Sequence, residues 1–373
     1  MLWAVAWHVR RADKAAGEPC GNLEWGTSVG LHRAQFLDLI AKLLLETRRA
    51  KSHFGKRCVG FTQLEDLHEG GDALDDPVTL HFSDGTSATC DVLIGCDGIK
   101  SAIRGELLHE AFGAPQNTEA EQDKTRRLAA TKFSGTVVYR GLIKLDDLKG
   151  VSSDLDAMKT ATTYCGKNKH VVAYPVGGGR FVNFLAYTSE PGKRAEWASQ
   201  PWEVQVDAEE VRELFKDFEP KVQALLKCID KSSRWAMYDV EPLDFWSKGN
   251  VTLLGDAAHA MMPFLGAGCG QGLEDVYVLS RLLGSPLATR RTLPSVLLAY
   301  ERVRMSKANR VILCTREAKC AFEFLQEYDG SMNEEVVQTI IRLSYWLKED
   351  KGEPADDFHA AESILRELAN NES

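Results

Sequence analysis

The stretch VTLLGDAAHAMMPFLGAGCGQGLEDVYVLSRLL, residues 251–283, decides how the chain is read. Residues 251–254 form a short apolar run, the pattern of a strand buried on both faces. The run stops at Gly255, and an acid, Asp256, follows at once. After a turn containing Pro263 come Gly266, Gly268, Gly270 and Gly272, leading into an amphipathic helix over residues 273–284. Glycines let a backbone approach a ligand closely, and a helix start offers unpaired N–H groups to an anionic or polarised oxygen. A glycine-rich loop alone fits a flexible, helix-capped connection equally well. The strand, acid and turn around this one point to a ligand site.

A second stretch, DVLIGCDGIKSAIR at residues 91–104, repeats the arrangement. A buried strand delivers Asp97 at its carboxyl end, followed by Gly98 and a helix carrying Ser101 and Arg104. Ligands of α/β sheets bind at the carboxyl ends of strands, so two such acids suggest one nucleotide-like ligand. Taken alone, Asp97 is better explained by an Asx-turn.

Outward from these segments, residues 31–47 space their apolar side chains as the wide stripe of a buried amphipathic helix. Asp84-Gly85 marks a hairpin turn between two strands. The first residues, MLWAVAWHVRRAD, read as a strand that begins abruptly: the apolar part is too short for a membrane span and lacks a positive flank before it. Residues 114–130 are polar and expected to be a surface connection. From residue 131 the composition turns to Val, Tyr and Phe, with two runs joined by Gly177-Gly178-Gly179. Residues 207–228 and those after 294 read as helical, with breaks at 329–333 and near Gly352. The fold class expected is α/β, with a mainly-β domain inserted into an interrupted Rossmann-like domain and a helical C-terminus. The boundaries expected are 1–125 and 235–290 for the interrupted domain, 126–234 for the insertion and 291–373 for the C-terminal helices.

Composition narrows the function. The 373 residues carry 45 Lys+Arg against 54 Asp+Glu, a net charge of −9 that argues against nucleic acid or an anionic membrane as main partner. The nine cysteines form no CxxC pair and the nine histidines no HxxxH or HExxH, so no metal site is expected. Scattered thiols in odd number suggest a reducing compartment and a cytosolic protein.

GCDGIKSAIR and LLGDAAHAMMPFLGAG, in this order, resemble the paired DG and GD motifs of single-component FAD-dependent aromatic hydroxylases, nearest the salicylate hydroxylase-like branch. GLHRAQFLDLI (30–40), FSGTVVYRGLI (133–143), HVVAYPVGGGRFVNF (170–184) and YERVR (300–304) extend the resemblance over about residues 25–310. It implies an FAD enzyme that consumes NAD(P)H and O₂ and hydroxylates a phenolic or aromatic-acid substrate through a flavin C4a-hydroperoxide. Asp256 would hydrogen-bond the ribityl chain, and Gly266, Gly268 and Cys269 would hold the isoalloxazine edge by backbone N–H groups. Arg33 matches an arginine that contacts the FAD phosphates or ribose, and Asp97 would act mainly through backbone geometry. Arg140 and Tyr174 match positions that orient a phenolate. An arginine favours the phenol's anion and a tyrosine can fix its direction. The plainer alternative is a surface ion pair for Arg140 and core filling for Tyr174. His259 is implied to be structural, and Phe264 and Leu265 suggest a substrate more apolar than salicylate.

No segment supplies the strand–GxGxxG–helix that the resemblance leads one to expect, with its acid about 20 residues on. The chain is therefore expected to start downstream of the part that grips the FAD pyrophosphate, leaving apolar surface around residues 40–45 exposed and FAD affinity low. The sequence is then a shortened form of a longer protein, a chain completed by another, or a non-catalytic paralogue that binds an aromatic ligand or partner without turnover. A flavin oxidase or dehydrogenase is the remaining alternative.

Overall fold

The computed structural model describes residues 2–29, 33–63, 77–112, 118–152, 154–189, 201–325, 332–345 and 352–371. Gly30, Leu31 and His32 of the 30–40 motif lie outside them. In chain order the elements begin with β1 (Leu2–Arg11), β2 (Glu18–Val29), α1 (Arg33–Thr47), β3 (Cys58–Thr62), β4 (Val78–Phe82), β5 (Ser87–Cys90), β6 (Leu93–Gly95), α2 (Ala102–Phe112) and α3 (Glu119–Ala129). There follow β7 (Lys132–Lys144), α4 (Leu145–Val151), β8 (Ala161–Gly166), β9 (Lys169–Val176), β10 (Phe181–Ser189), β11 (Glu203–Asp207), α5 (Ala208–Leu214), α6 (Pro220–Lys227) and β12 (Lys231–Asp239). The chain ends with β13 (Ser247–Lys248), β14 (Val251–Leu253), α7 (Asp256–His259), α8 (Gly268–Leu283), α9 (Leu293–Phe322), α10 (Met332–Tyr345) and α11 (Pro354–Asn371).

The chain divides into two compact units. The first comprises residues 1–52, 133–237 and 317–345 and is built on an eight-stranded sheet of order β11-β12-β7-β10-β9-β8-β1-β2. Its Val-, Tyr- and Phe-rich strands pair antiparallel from β7 through β10 to β9 and β8, and Gly177, Gly178 and Gly179 turn β9 into β10 at positive φ. Side chains of a strand alternate between faces. Accordingly Val182, Phe184 and Ala186 of β10 are buried, whereas Phe181, Asn183 and Leu185 are half-buried on the opposite face.

This unit corrects the expected boundaries at the N-terminal end. Residues 1–52 do not go with the interrupted α/β domain, because β1 pairs parallel with β8 and antiparallel with β2, lengthening the inserted sheet. The burial expected for the 31–47 stripe as a whole is corrected as well, whereas the exposed apolar surface expected around residues 40–45 is present. The periodicity does form α1, but none of its residues is buried, and Leu43 and Leu45 stand 52% and 70% exposed. The C-terminal helices are likewise shared out, residues 317–345 in the first unit and 346–373 in the second.

The second unit comprises residues 53–132, 238–316 and 346–373. Strands β3, β4 and β5 make one antiparallel sheet, with Asp84-Gly85 at the β4–β5 turn and Gly85 at φ +79°. Strand β14 pairs parallel with β6 and antiparallel with β13 in another. Leu93, Ile103, Leu107, Trp246, Val251, Leu253, Val278, Leu282 and Tyr300 belong to its core. Helix α3 replaces much of the connection expected at 114–130. Thr118 Oγ1 accepts from the Glu121 N–H while the Glu121 carboxylate accepts from the Thr118 N–H, and this capping box starts a helix in a polar sequence.

Gly95 marks where packing is tightest around the paired strand ends. A Cβ there would lie 2.8 Å from Ile103 Cγ2 and 3.1 Å from Leu253 Cδ2, whereas one at Gly105, inside α2, meets nothing within 4 Å. Gly95→Ala is expected to cost about 1–3 kcal/mol by overpacking, and Gly105→Ala to stabilise by about 0.5–1 kcal/mol. Urea titration of the two variants beside wild type checks both signs.

Candidate functional site

The parallel pairing of β6 and β14 sets Leu93 against Val251, Ile94 against Thr252 and Gly95 against Leu253. The two acid-bearing strand ends therefore leave the sheet side by side, tied by the Leu254 N–H donating to Gly95 O at 3.0 Å. Asp97 is spent on local structure. Its carboxylate accepts from Ser101 Oγ at 2.5 Å and from the Ala102 and Ile103 N–H groups at 2.7 and 3.3 Å, capping the start of α2. Asp256, the first residue of α7, keeps its side chain exposed. Buried Arg104 locks the segment after it, donating to Ala257 O at 3.3 Å, Ala258 O at 2.8 Å, Glu241 O at 2.7 Å and Leu128 O at 3.0 Å. Burial pulls the Arg104 guanidinium down to about 10, with Glu241 acting the other way.

Helix α8 starts against this strand end: a Cβ on Gly272 would lie 3.7 Å from Gly255 Cα. Asp275, fully buried one turn further on, fixes that approach. Its Oδ2 accepts from the Gly255 N–H at 3.2 Å and from His259 Nε2 at 2.6 Å, and its Oδ1 accepts from Arg304 Nε at 3.0 Å. Burial alone would raise the Asp275 carboxyl; the His259 hydrogen bond and charge, with those of Arg304, outweigh it and hold the group below its ordinary value. Arg304 also donates to Asp357 Oδ2 at 2.9 Å and to Gln271 Oε1 at 2.9 Å, the latter in the first turn of α8.

Over the glycines the space is open. Gly255 has φ +63° and Gly266 φ +61°, and a Cβ at Gly255, Gly266 or Gly270 would meet nothing within 4 Å, while one at Gly268 would meet only Met261 at 3.6 Å. No side chain caps the start of α8, so its first N–H groups remain available, and exposed Cys269 lies in that turn. An open glycine cradle, an uncapped 16-residue helix and an exposed carboxylate suit a ligand bearing a polarised carbonyl edge and hydroxyl groups, as a flavin and its ribityl chain do. Asp97, Asp256, Gly266, Gly268 and Cys269 all belong to this second unit. Phe264 and Leu265 are 6% and 4% exposed, so packing accounts for their apolar character.

The other candidates lie in the first unit. Arg33 opens α1 with its side chain exposed. Arg140 on β7 and Tyr174 on β9 share one face of the large sheet, two strands apart across β10, where Leu185 pairs with Arg140 and Asn183 with Tyr174. Arg140 makes no ion pair among the described residues; its guanidinium lies 5.4 Å from the centre of the Trp235 ring. Tyr174 is half-buried rather than part of the core. Buried Tyr187, further along the same face of β10, has its hydroxyl raised chiefly by desolvation, then by Tyr174, with Arg140 opposing.

Sequence reasoning passed over Asp275, Gln271 and Arg304 as functional positions. A signal was present: Gln271 and Asp275 occupy positions in register with Val278, Leu279 and Leu282 on the buried stripe of α8, and an acid there demands partners. Among the described residues no group of side chains could hold a metal ion, and no helix is long and apolar enough to cross a membrane.

Residues 40–315 match the family described as "FAD binding domain". The chain is 34% identical over 325 residues to a salicylate hydroxylase of Pseudomonas putida, covering 85% of this chain and 68% of that protein. It is 35% identical over 304 residues to the 6-methylsalicylate 1-monooxygenase of Aspergillus terreus, covering 80% of this chain and 61% of that one. Among solved structures, a salicylate hydroxylase substrate complex superposes with a TM-score of 0.82 at 29% identity, over 96% of this chain and 82% of the other.

The Asp275 network generates a pH-dependent expectation. Its folded pKa is depressed, so the stability it contributes is complete above the unfolded carboxylate value of about 3.9 and is lost as pH falls through the folded value. Asp275→Asn is expected to lose about 3–5 kcal/mol at pH 7, the range for breaking a buried pair. The gap to wild type should narrow below about pH 4. Urea unfolding at pH 7, 5 and 3.5 measures it; a gap that stays constant with pH would contradict the ionic role.

Proposed function

The chain belongs to the FAD binding domain family, as a flavin-dependent aromatic monooxygenase, and within it we propose that it hydroxylates a phenolic or aromatic-acid substrate with NAD(P)H and O₂. The observation that carries the reading is the pair of strand ends on β6 and β14, set beside an uncapped glycine-rich helix start and held by Asp275. Asp256 accepts hydrogen bonds from the ribityl hydroxyls, and the N–H groups around Gly266, Gly268 and Cys269 meet the isoalloxazine edge. Arg33 serves the phosphates or ribose. Asp97 contributes by holding the first turn of α2 rather than by touching ligand. Bound FAD would supply the redox chemistry that couples NAD(P)H and O₂ to hydroxylation of the ring.

The substrate side is assigned to Arg140 and Tyr174. A ring attacked by an electrophilic oxygen reacts best as a phenolate, and a positive charge nearby favours that anion. The Arg140 guanidinium carries no carboxylate partner among the described residues, so its charge and donors are open to a phenolate oxygen. The Tyr174 hydroxyl, from the next strand but one, directs the ring. The relatives named for salicylate and 6-methylsalicylate support this class of substrate.

Purified protein is expected to carry or take up FAD, showing flavin absorbance, and to oxidise NADPH faster when an aromatic substrate is present. Colourless protein that stays inactive with added FAD would overturn the assignment. Asp256→Ala should weaken FAD binding by about 10- to 100-fold, the worth of a hydrogen bond to a charged group, as read by flavin fluorescence titration. In Arg140→Met the bound phenol should ionise nearer its ordinary value of about 10. The rate at pH 7 then falls and recovers partly towards pH 9, a shift that loss of fold would not produce.

A further inference from the structure

Asn183 is a polar, half-buried residue of the Arg140–Tyr174 face that no role above uses. It lies on β10 between the two strands that carry those residues, paired with Leu142 of β7 on one side and with Tyr174 of β9 on the other. Two residues along, Leu185 pairs with Arg140 and with Val172. By strand alternation Leu142, Asn183 and Tyr174 form one row on this face and Arg140, Leu185 and Val172 the next, with about 6.7 Å between the rows. Leu142 is 60% exposed and Asn183, Leu185 and Tyr174 are half-buried, so the face is a partly open apolar surface with polar groups at fixed places.

An asparagine in the middle of a central strand is unfavourable by propensity and contributes no apolar area. Such a residue is ordinarily compensated by hydrogen bonds, yet among the described residues the Asn183 side chain makes none. Its amide offers two donors and an acceptor, flanked by the apolar side chains of Leu142 and Leu185. An aromatic ring resting on Leu185 with one oxygen towards Arg140 has its far edge over the Asn183 row. We propose that Asn183 is a specificity-determining residue: its amide hydrogen-bonds a second polar substituent on the ring, selecting hydroxylated aromatic acids over simple phenols. This rests on the reading that the Arg140–Tyr174 face receives the substrate.

The test is equilibrium binding to the FAD-loaded full chain, by calorimetry, of 2-, 3- and 4-hydroxybenzoate and of phenol. Wild type should bind the best hydroxybenzoate at least tenfold tighter than phenol. Asn183→Leu, matched in size and suited to the apolar face, should erase that preference while leaving phenol within about threefold. Asn183→Ser, which keeps a donor and acceptor, should restore part of it. Arg140→Met should weaken hydroxybenzoate and phenol alike. A wild type with no preference for the second substituent overturns the proposal. So does an Asn183→Leu variant that keeps the preference while Arg140→Met weakens binding, an outcome that leaves the substrate face standing. If neither variant alters any affinity, the face itself is wrongly assigned and the proposal falls with it. Far-ultraviolet circular dichroism of Asn183→Leu, expected to match wild type, separates lost recognition from lost fold.

Discussion

A buried carboxylate cannot stay ionised without partners, and Asp275 organises the second unit around that requirement. Removing an ion from water costs several kcal/mol even after relaxation. The cost here is offset by a backbone N–H from the end of β14, an imidazole from α7 and a guanidinium from α9, at 3.2, 2.6 and 3.0 Å. Each partner comes from a different element, so the charge is satisfied only when strand end, turn and two helices sit in one arrangement. The start of α8 then lies against Gly255, a position whose φ of +63° and ψ of −139° suit glycine. The open cradle over the glycines accompanies that packing, with the buried charge of Asp275 holding the Gly255 N–H.

One helical turn of α9 supports the same sheet from behind. In YERVR, the Tyr300 hydroxyl donates to Leu253 O at 3.2 Å, and Glu301 Oε2 accepts from the Trp246 and Ser247 N–H groups at 2.6 Å each. Arg304 reaches Asp275. Spacings of four and three residues set Arg304 beside both Tyr300 and Glu301 on the helix surface. This motif thus holds the strand whose end delivers Asp256. Arg304 continues to Asp357 on α11, so the last helix of the chain is tied to the glycine-rich turn through two ion pairs.

Much of this was legible in the sequence, and the limits follow from the range of the interactions. The β4–β5 hairpin was readable because Asp84-Gly85 carries its own turn geometry, and the strand–acid–glycine segments because their signals lie within a dozen residues. The destination of β1 was not, since its neighbour β8 lies about 150 residues away and no local property of either strand names the other. Helix α3 carried a readable capping box, Thr118 to Glu121, hidden in a segment whose polarity looked like a loop. The stripe of α1 predicted a helix correctly but not which of its apolar residues are covered, because periodicity reports which face is apolar and not what covers it. Asp275 had a pattern anomaly but no motif: its meaning depends on Arg304, 29 residues on.

Arg140 shows why the kind of partner matters as much as the position. A guanidinium on an open sheet face must be held in place, and the usual restraint, a carboxylate, would also neutralise it. The Trp235 ring holds it instead, at 5.4 Å. A cation over an aromatic face gains roughly 0.5–1 kcal/mol at an exposed site, enough to bias the side-chain conformation without supplying a counter-charge. The positive charge and its planar set of donors thus stay without a carboxylate partner among the described residues. An acid at residue 235 would tether the arginine more strongly and neutralise its charge. A small residue there would leave the charge intact but the direction free. An aromatic residue on the adjacent strand satisfies both demands, its ring lying against the Arg140 guanidinium.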